Sequence, residues 1–140
     1  MNKRTDRSNA FIFFIQFFAG VLLLIVSSCS KPSLETTYKN VAVKMNKDCP
    51  ITIDEETRLD SVAALPSNTF GYYNTIVNML KDSVDIEFAK NGIKGQIVNM
   101  VKTAPELKQF KNNNTTLEYT YFDKEGVFMF KVTATPEDYK

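Results

Sequence analysis

Residues 115–135 read TTLEYTYFDKEGVFMFKVTAT, and this stretch has the most regular strand pattern in the chain. Two runs in which apolar and polar residues alternate, Thr115–Phe122 and Val127–Thr135, flank the polar turn Asp123–Gly126. Successive strand side chains point to opposite sides, so each run gathers its apolar residues on one face. These are Leu117, Tyr119 and Tyr121 in the first run, and Phe128, Phe130, Val132 and Ala134 in the second. The stretch predicts a β-hairpin with one buried face, in which Gly126 takes the left-handed position of the turn.

Two further strands are predicted upstream of the hairpin. Thr57–Ala64 and Thr69–Met79 have strand-like patterns, and the turn residues Pro66–Asn68 separate them. The second strand gathers Phe70, Tyr72, Asn74 and Ile76 on one face. A turn at Asn46–Pro50 precedes Ile51–Ile53, whose alternation indicates one more short strand.

An amphipathic helix is predicted between these strands and the hairpin. Its apolar residues recur at three- and four-residue spacing: Ala89, Ile93, Ile97, Met100, Val101 and Ala104. Asp82 is positioned to cap the helix, with Asp85 completing a capping box. Glycine in a helix interior costs up to ~1 kcal/mol of stability relative to alanine. The sequence therefore allows either a continuous helix or one that is broken or kinked near Asn91–Gly92. Pro105 begins a last short turn of helix through Phe110.

Together these elements predict an α+β fold. Their order is β-β-α-β-β, an antiparallel sheet of about four strands packed by one main helix. The predicted domain is a single unit over residues 41–140. Residues 29–40 are polar, contain Pro32 and follow neither the strand nor the helix period, so we interpret them as a lipidated tether.

The first 28 residues have the pattern of an export signal. Lys3, Arg4 and Arg7 precede the apolar run Phe11–Val26. As a helix this run would be about 24 Å long, which is shorter than the hydrocarbon layer of about 30 Å. The pattern therefore favours a cleaved signal peptide, with an uncleaved membrane anchor as the alternative.

Residues 26–29 resemble the bacterial lipobox. Val26 is the aliphatic residue, Ser27 and Ser28 are the small ones, and Cys29 follows them. The resemblance implies cleavage between Ser28 and Cys29, with diacylglycerol on the Cys29 thiol and fatty acids such as palmitate in the anchor. By resemblance to enterobacterial sorting, Ser30 favours the outer membrane over the inner one. The absence of an acidic cluster after the cysteine favours a periplasm-facing position.

Composition excludes several functions. The chain has no histidine, so it forms no imidazole base, no Ser-His or Cys-His pair and no His-ligated metal site. With Cys29 acylated, Cys49 has no partner for an internal disulfide. Removal of residues 1–28 takes three basic and one acidic residue from the 17 and 16 of the whole chain, which leaves a net charge of −1. A nucleic-acid partner is disfavoured, and the sequence predicts no cofactor beyond the covalent lipid.

Residues 54–60 read DEETRLD, which is an Asp, two variable residues, and Thr57-Arg58-Leu59-Asp60. Four further segments contribute to a family resemblance: YYNTIVN at 72–78, PEL at 105–107, YTY at 119–121 and TPEDY at 135–139. With them, the chain resembles a family of small exported bacterial proteins over about residues 46–139. The resemblance implies an α+β domain and an extracytoplasmic location, and it carries no activity.

The acidic start of the domain offers candidate binding residues. Arg58 and Asp60 share a strand face, where they form either an ion pair or a ligand contact; Asp54 is the third candidate. Asp48, Glu55 and Glu56 add oxygen ligands suited to Ca²⁺, although the spacing is not that of an EF-hand and a solvated patch is favoured.

Cysteine and tyrosine residues each allow two interpretations. Cys49 is either a redox thiol or an inert one. The inert interpretation is favoured, because the chain offers no resolving cysteine. Tyrosines on the strands either line a ligand groove or pack on the sheet: Tyr72, Tyr73, Tyr119 and Tyr121.

Three functions remain after these exclusions. The favoured one is a membrane-tethered, non-enzymatic binding or accessory module, whose sheet face or edge strand contacts another envelope protein. The alternatives are an envelope enzyme that uses the carboxylates Asp54, Glu56 and Asp60, and an inhibitor or immunity-like protein.

Overall fold

The computed structural model describes residues 32–140. The predicted leader (1–28) and the predicted lipid-attachment residue Cys29 lie outside the described residues. The strands are β1 (Ile51–Thr52), β2 (Thr57–Leu65), β3 (Thr69–Ile76), β4 (Thr116–Phe122) and β5 (Phe128–Ala134). The helices are α1 (Leu34–Met45), α2 (Ile86–Thr103), α3 (Lys108–Asn112) and α4 (Pro136–Tyr139).

The five strands form one sheet in the order β1-β2-β3-β4-β5. Neighbours pair antiparallel, except β3 and β4, which are parallel. A parallel pair requires a crossover connection, and α2 lies within it. The predicted α+β class is confirmed. The central pair departs from the predicted antiparallel arrangement because α2 returns the chain to the same end of the sheet.

Helix α1 corrects the prediction for residues 29–40. Ser33 caps the helix, and its side chain accepts a hydrogen bond from the Thr36 N–H at 3.2 Å. Tyr38 is 2% exposed and packs against Phe70 and Phe110, with ring centroids 5.9 and 5.2 Å away. The prediction of a tether is therefore wrong from residue 34 to 40, and the domain begins at residue 34 rather than 41. The apolar stripe of α1 straddles that boundary: Leu34, Tyr38, Val41, Ala42 and Met45.

The core lies on one face of the sheet. Helix α1 packs against β2, and α2 packs against β5. The predicted strand faces supply the buried side chains beneath them: Phe70, Tyr72, Leu117, Tyr119, Tyr121, Phe130, Val132 and Ala134. Phe128 is the exception at 48% exposed. It pairs with Phe122 after a register shift in β5, which moves it off the core face.

Helix α2 is continuous, so the break considered near Gly92 does not occur. Gly92 and Gly95 have no neighbouring atoms within 4 Å of a Cβ position, and buried Ile97 and Val101 hold the helix to the core. Asp85 is the N-cap and accepts from the Phe88 N–H at 3.0 Å. Within residues 32–140, no helix has the length and apolar character required to span a membrane.

Asp82 lies in a 3₁₀ turn before α2 rather than at its cap. The turn predicted after α2 is confirmed, because a 3₁₀ turn at Pro105–Leu107 leads into α3. The closing hairpin is also confirmed, and Gly126 has the predicted positive φ of 81°. The Asp123 carboxylate supports this turn by accepting from the N–H groups of Glu125 and Val127, each at 2.9 Å.

Candidate binding groove

A groove of about 780 Å³ lies between α2 and the core face of the sheet. Helix α2 contributes Ile93, Ile97 and Met100 to its walls. The floor comes from β2, β3 and β4, and its residues are Leu59, Tyr72, Asn74, Ile76, Tyr119 and Tyr121. Met45 at the end of α1 also lines it.

The positions of the two long helices explain the groove. Helix α1 covers β2 and α2 covers β5, so the middle of the sheet lies between them. Towards the N-terminal end of α1, Tyr38 and Phe110 fill this space by packing against Phe70. Towards the C-terminal end of α1, the groove opens beside Met45.

Three tyrosines form much of the floor. The rings of Tyr72 and Tyr119 stack with centroids 4.5 Å apart, and Tyr121 stacks on Phe130 at 5.0 Å. Burial raises the pKa of Tyr72 and of Tyr121 to about 12, and it also raises the pKa of Tyr119. The phenols therefore stay neutral near pH 7. Both sequence interpretations hold for these three residues, since they pack on the sheet and line the groove.

Asn74 lies on the groove floor beside these tyrosines. It is in register with Leu59 on β2 and Tyr121 on β4, and it is 5% exposed. Within the described part of the chain, its Nδ2 is the one buried side-chain nitrogen or oxygen without a hydrogen-bond partner. A buried donor without a partner costs about 1–3 kcal/mol. Asn74 is therefore a costly residue for the fold and a donor suited to a ligand.

Three acidic residues line the groove: Asp54, Glu56 and Glu106. The Asp54 carboxylate accepts hydrogen bonds from the N–H groups of Glu56 at 2.9 Å and Thr57 at 2.7 Å. These hydrogen bonds lower the pKa of Asp54, so this group is ionised near neutral pH. Among residues 32–140, no Lys or Arg lines the groove.

Arg58 and Asp60 lie on a different part of the surface and do not line the groove. Arg58 Nε donates to Asp60 Oδ1 at 2.5 Å, and the Thr75 hydroxyl donates to Asp60 Oδ2 at 2.6 Å. Thr75 follows Asn74 on β3, so its side chain points to the opposite face of the sheet. Both Asp60 oxygens thus have partners in the domain.

The sequence-predicted site residues therefore separate into two groups. Arg58 and Asp60 come together as an ion pair, while Asp54 and Glu56 lie at the groove. The three carboxylates of the enzyme hypothesis do not share one cleft. In the range 32–140, no cluster of three or more Cys, Asp or Glu residues is arranged to hold a metal ion.

Cys49 is half-buried and free among the described residues. Burial raises the pKa of its thiol, and the nearby carboxylates of Asp48 and Asp60 raise it further. A raised pKa disfavours the reactive thiolate form. These surroundings favour the inert interpretation of Cys49.

Sequence reasoning did not single out Asn74 or Glu106. The signal for Asn74 was present, because it is a polar residue within the apolar face that Phe70, Tyr72 and Ile76 share. Glu106 had no such signal, since its position at the groove depends on how the segment after α2 folds back.

Three solved structures have a similar fold. A secreted protein from Pseudomonas aeruginosa is 12% identical with a TM-score of 0.58, over 79% of this chain and 100% of that one. The type II secretion system pilotin AspS from Vibrio cholerae is 12% identical with a TM-score of 0.56, and the match covers 74% of this chain and 90% of the pilotin. The type 2 secretion system pilotin EpsS from Vibrio vulnificus is 9% identical with a TM-score of 0.57, and the match covers 76% of this chain and 91% of the pilotin.

At these identities the similarity establishes the fold alone. No curated protein matches the sequence of this chain. The model of a family described as a domain of unknown function (DUF8479) matches residues 33–130, which is well over half of the chain, and the chain belongs to that family.

Proposed function

We propose that this chain is a membrane-tethered, non-enzymatic binding module of the bacterial cell envelope. In this proposal, the groove accepts a segment of a partner protein in the same compartment. The observation that carries the proposal is the groove itself: about 780 Å³, with apolar walls and a buried donor that has no partner in the described chain. Sites that bury a ligand have this size and this mixture of apolar walls and few polar groups.

The shared fold supports an accessory role. Two of the similar structures are pilotins of type II secretion systems. The third is described as a secreted protein. An accessory role in an envelope assembly is the kind of function that we propose for this chain.

The proposed tether is a lipid on Cys29, after cleavage of residues 1–28. Two or three acyl chains give stable membrane anchoring, whereas one binds only marginally. We favour the outer membrane because Ser30 follows the cysteine, and its periplasmic face because no acidic cluster follows there. Leu34 and Met45 lie at opposite ends of α1, about 16 Å apart at about 1.5 Å per residue. Met45 lines the groove, at the opposite end of α1 from Leu34.

Site-specific photo-crosslinking tests the use of the groove. A photoreactive amino acid replaces Met100, which lines the groove and is 39% exposed, in the full chain expressed in its native envelope. The matched control replaces Phe88, which is on the same helix, 80% exposed and outside the groove. We expect a discrete crosslinked protein from position 100 and not from position 88. Equal crosslinking at both positions, or none at position 100, contradicts the proposal.

Acyl labelling tests the tether. Cys29→Ala is expected to abolish incorporation of labelled palmitate and to yield an unprocessed or soluble product. Cys49→Ala is the matched control and is expected to change neither. Undiminished labelling of Cys29→Ala would disprove the tether.

A further inference from the structure

The chemistry of the groove indicates what kind of segment it receives, and this inference rests on the proposed function. The lining is largely apolar, with Ile93, Ile97 and Met100 on α2 and with Leu59 and Ile76 on the floor. Aliphatic side chains of a ligand would gain binding free energy in proportion to the apolar surface that they bury there. This requirement alone would fit an apolar peptide or an acyl chain equally well.

The charges of the groove separate these two occupants. Asp54, Glu56 and Glu106 line it, and no Lys or Arg of residues 32–140 does. Asp54 is held ionised by its backbone hydrogen bonds. A groove lined by one sign of charge concentrates the opposite sign and repels its own. Fatty acids carry an anionic carboxylate and every phospholipid headgroup carries an anionic phosphate, so the acidic lining disfavours them and favours a cationic occupant without such a group.

Asn74 adds a second requirement. Asn74 lies at the floor and is 5% exposed. Its Nδ2 lacks a hydrogen-bond partner among the described residues. The neighbouring floor positions are the aromatic residues Tyr72 and Tyr121 and the aliphatic Ile76. A leucine at position 74 would extend that surface without the penalty of a buried free donor. An occupant that places an oxygen acceptor at Asn74 would remove the penalty on binding.

We infer that the groove binds an apolar segment of a partner polypeptide that carries Lys or Arg beside its apolar side chains and presents an amide or carbonyl oxygen to Asn74. The basic residues pair with Glu56 and Glu106, which have no side-chain hydrogen bonds elsewhere among residues 32–140. Asn74 favours segments that present this oxygen acceptor over those that do not. It acts as a specificity residue for the partner and is not required for folding.

Selection from a random peptide library displayed on phage tests the charge requirement. The target is the protein purified after expression of the full chain. We expect the enriched peptides to combine aliphatic residues with Lys or Arg, and their binding to weaken at least tenfold as salt rises from low to high concentration. Enriched peptides that are acidic or uncharged, or binding that palmitate displaces at equal concentration, would overturn the inference.

Two charge-reversed proteins localise the effect. Glu56→Lys with Glu106→Lys is expected to lose the basic peptides at least tenfold. Glu55→Lys with Glu125→Lys makes the same change in net charge at exposed positions outside the groove, and it should retain most of the binding. Equal losses in both proteins would mean that net charge, rather than the groove, attracts the peptides.

Asn74→Leu tests the donor. It is expected to weaken the selected peptide about tenfold, while its urea midpoint equals or exceeds that of the wild type. A lower midpoint with unchanged peptide binding would show that Asn74 serves the fold, and the inference would fail. Crosslinking from position 100 without any charge or Asn74 dependence would leave the proposed function standing and reject this inference alone.

Discussion

The side-chain amide of Asn46 exchanges two hydrogen bonds with the backbone of Val62. Asn46 Nδ2 donates to the Val62 carbonyl oxygen at 2.9 Å, and the Val62 N–H donates to Asn46 Oδ1 at 2.8 Å. Strand β1 is too short to reach this part of β2, because it pairs only with Leu59 and Arg58. Asn46 therefore takes the place of a neighbouring strand, and it joins the end of α1 to the sheet edge.

Asn46→Ala is expected to destabilise the domain by about 2 kcal/mol, since each of the two hydrogen bonds contributes about 1 kcal/mol. Urea unfolding followed by circular dichroism measures the change. Asn40→Ala, an exposed site on α1, is the control and should stay within about 0.5 kcal/mol of the wild type. If both variants unfold at the same urea concentration, Asn46 does not hold the edge of β2.

Tyr38→Ala tests whether α1 belongs to the folded domain. The ring is buried against Phe70 and Phe110, and its hydroxyl is hydrogen-bonded to the Thr115 hydroxyl. Removing a buried aromatic side chain costs about 3–5 kcal/mol. Lys39→Ala, next to it and exposed, should cost less than about 0.5 kcal/mol. An unchanged urea midpoint for Tyr38→Ala would mean that residues 34–45 are a tether after all.

Two glycine substitutions should change stability in opposite directions. Gly126 has a φ of 81°, a conformation that costs an L-residue about 1–2 kcal/mol, so Gly126→Ala is expected to destabilise the domain. Gly92 lies within α2 and has open space at its Cβ position, so Gly92→Ala should stabilise by about 0.5–1 kcal/mol. Thermal unfolding of the two variants under one condition compares them. A destabilised Gly92→Ala would contradict the continuous helix.

Local patterns in the sequence were enough to predict most of the secondary structure. The alternation at Leu117, Tyr119 and Tyr121 and the turn at Gly126 depend only on neighbouring residues, and both predictions are confirmed. The parallel pairing of β3 with β4 was not predicted, because it depends on the direction in which α2 returns the chain. Helix α1 was missed because the predicted boundary at residue 41 divides its apolar stripe, which leaves only Leu34 and Tyr38 on the tether side.

The candidate site was predicted less well than the fold. Arg58 and Asp60 were predicted to share a strand face, and they form an ion pair there. This relationship is local, because the two residues are two positions apart on one strand. The groove depends instead on the gap between two helices that are far apart in sequence. Asp54 and Glu56 reach it through the turn before β2, and Glu106 reaches it from beyond α2. Such a combination has no local signature.

The buried tyrosines predict a loss of stability at high pH. In the folded domain the pKa of Tyr72 and of Tyr121 is about 12, compared with an ordinary value of 10.0. The folded state therefore holds these protons more tightly than the unfolded state does. Their contribution to stability is complete below pH 10, and it is lost as the pH rises from 10 towards 12, because the unfolded chain ionises first.

Urea midpoints measured from neutral pH to about pH 12 should fall over this upper range, together with the appearance of phenolate absorbance. Tyr121→Phe removes one of the buried phenols and should make the fall less steep. Its hydroxyl makes no hydrogen bond to the rest of residues 32–140, so the variant should keep the wild-type midpoint at neutral pH within about 0.5 kcal/mol. If the phenolate absorbance of Tyr121, measured as the difference between the wild type and Tyr121→Phe, rose near pH 10 without any loss of structure, the tyrosine floor of the groove would be open to solvent rather than buried.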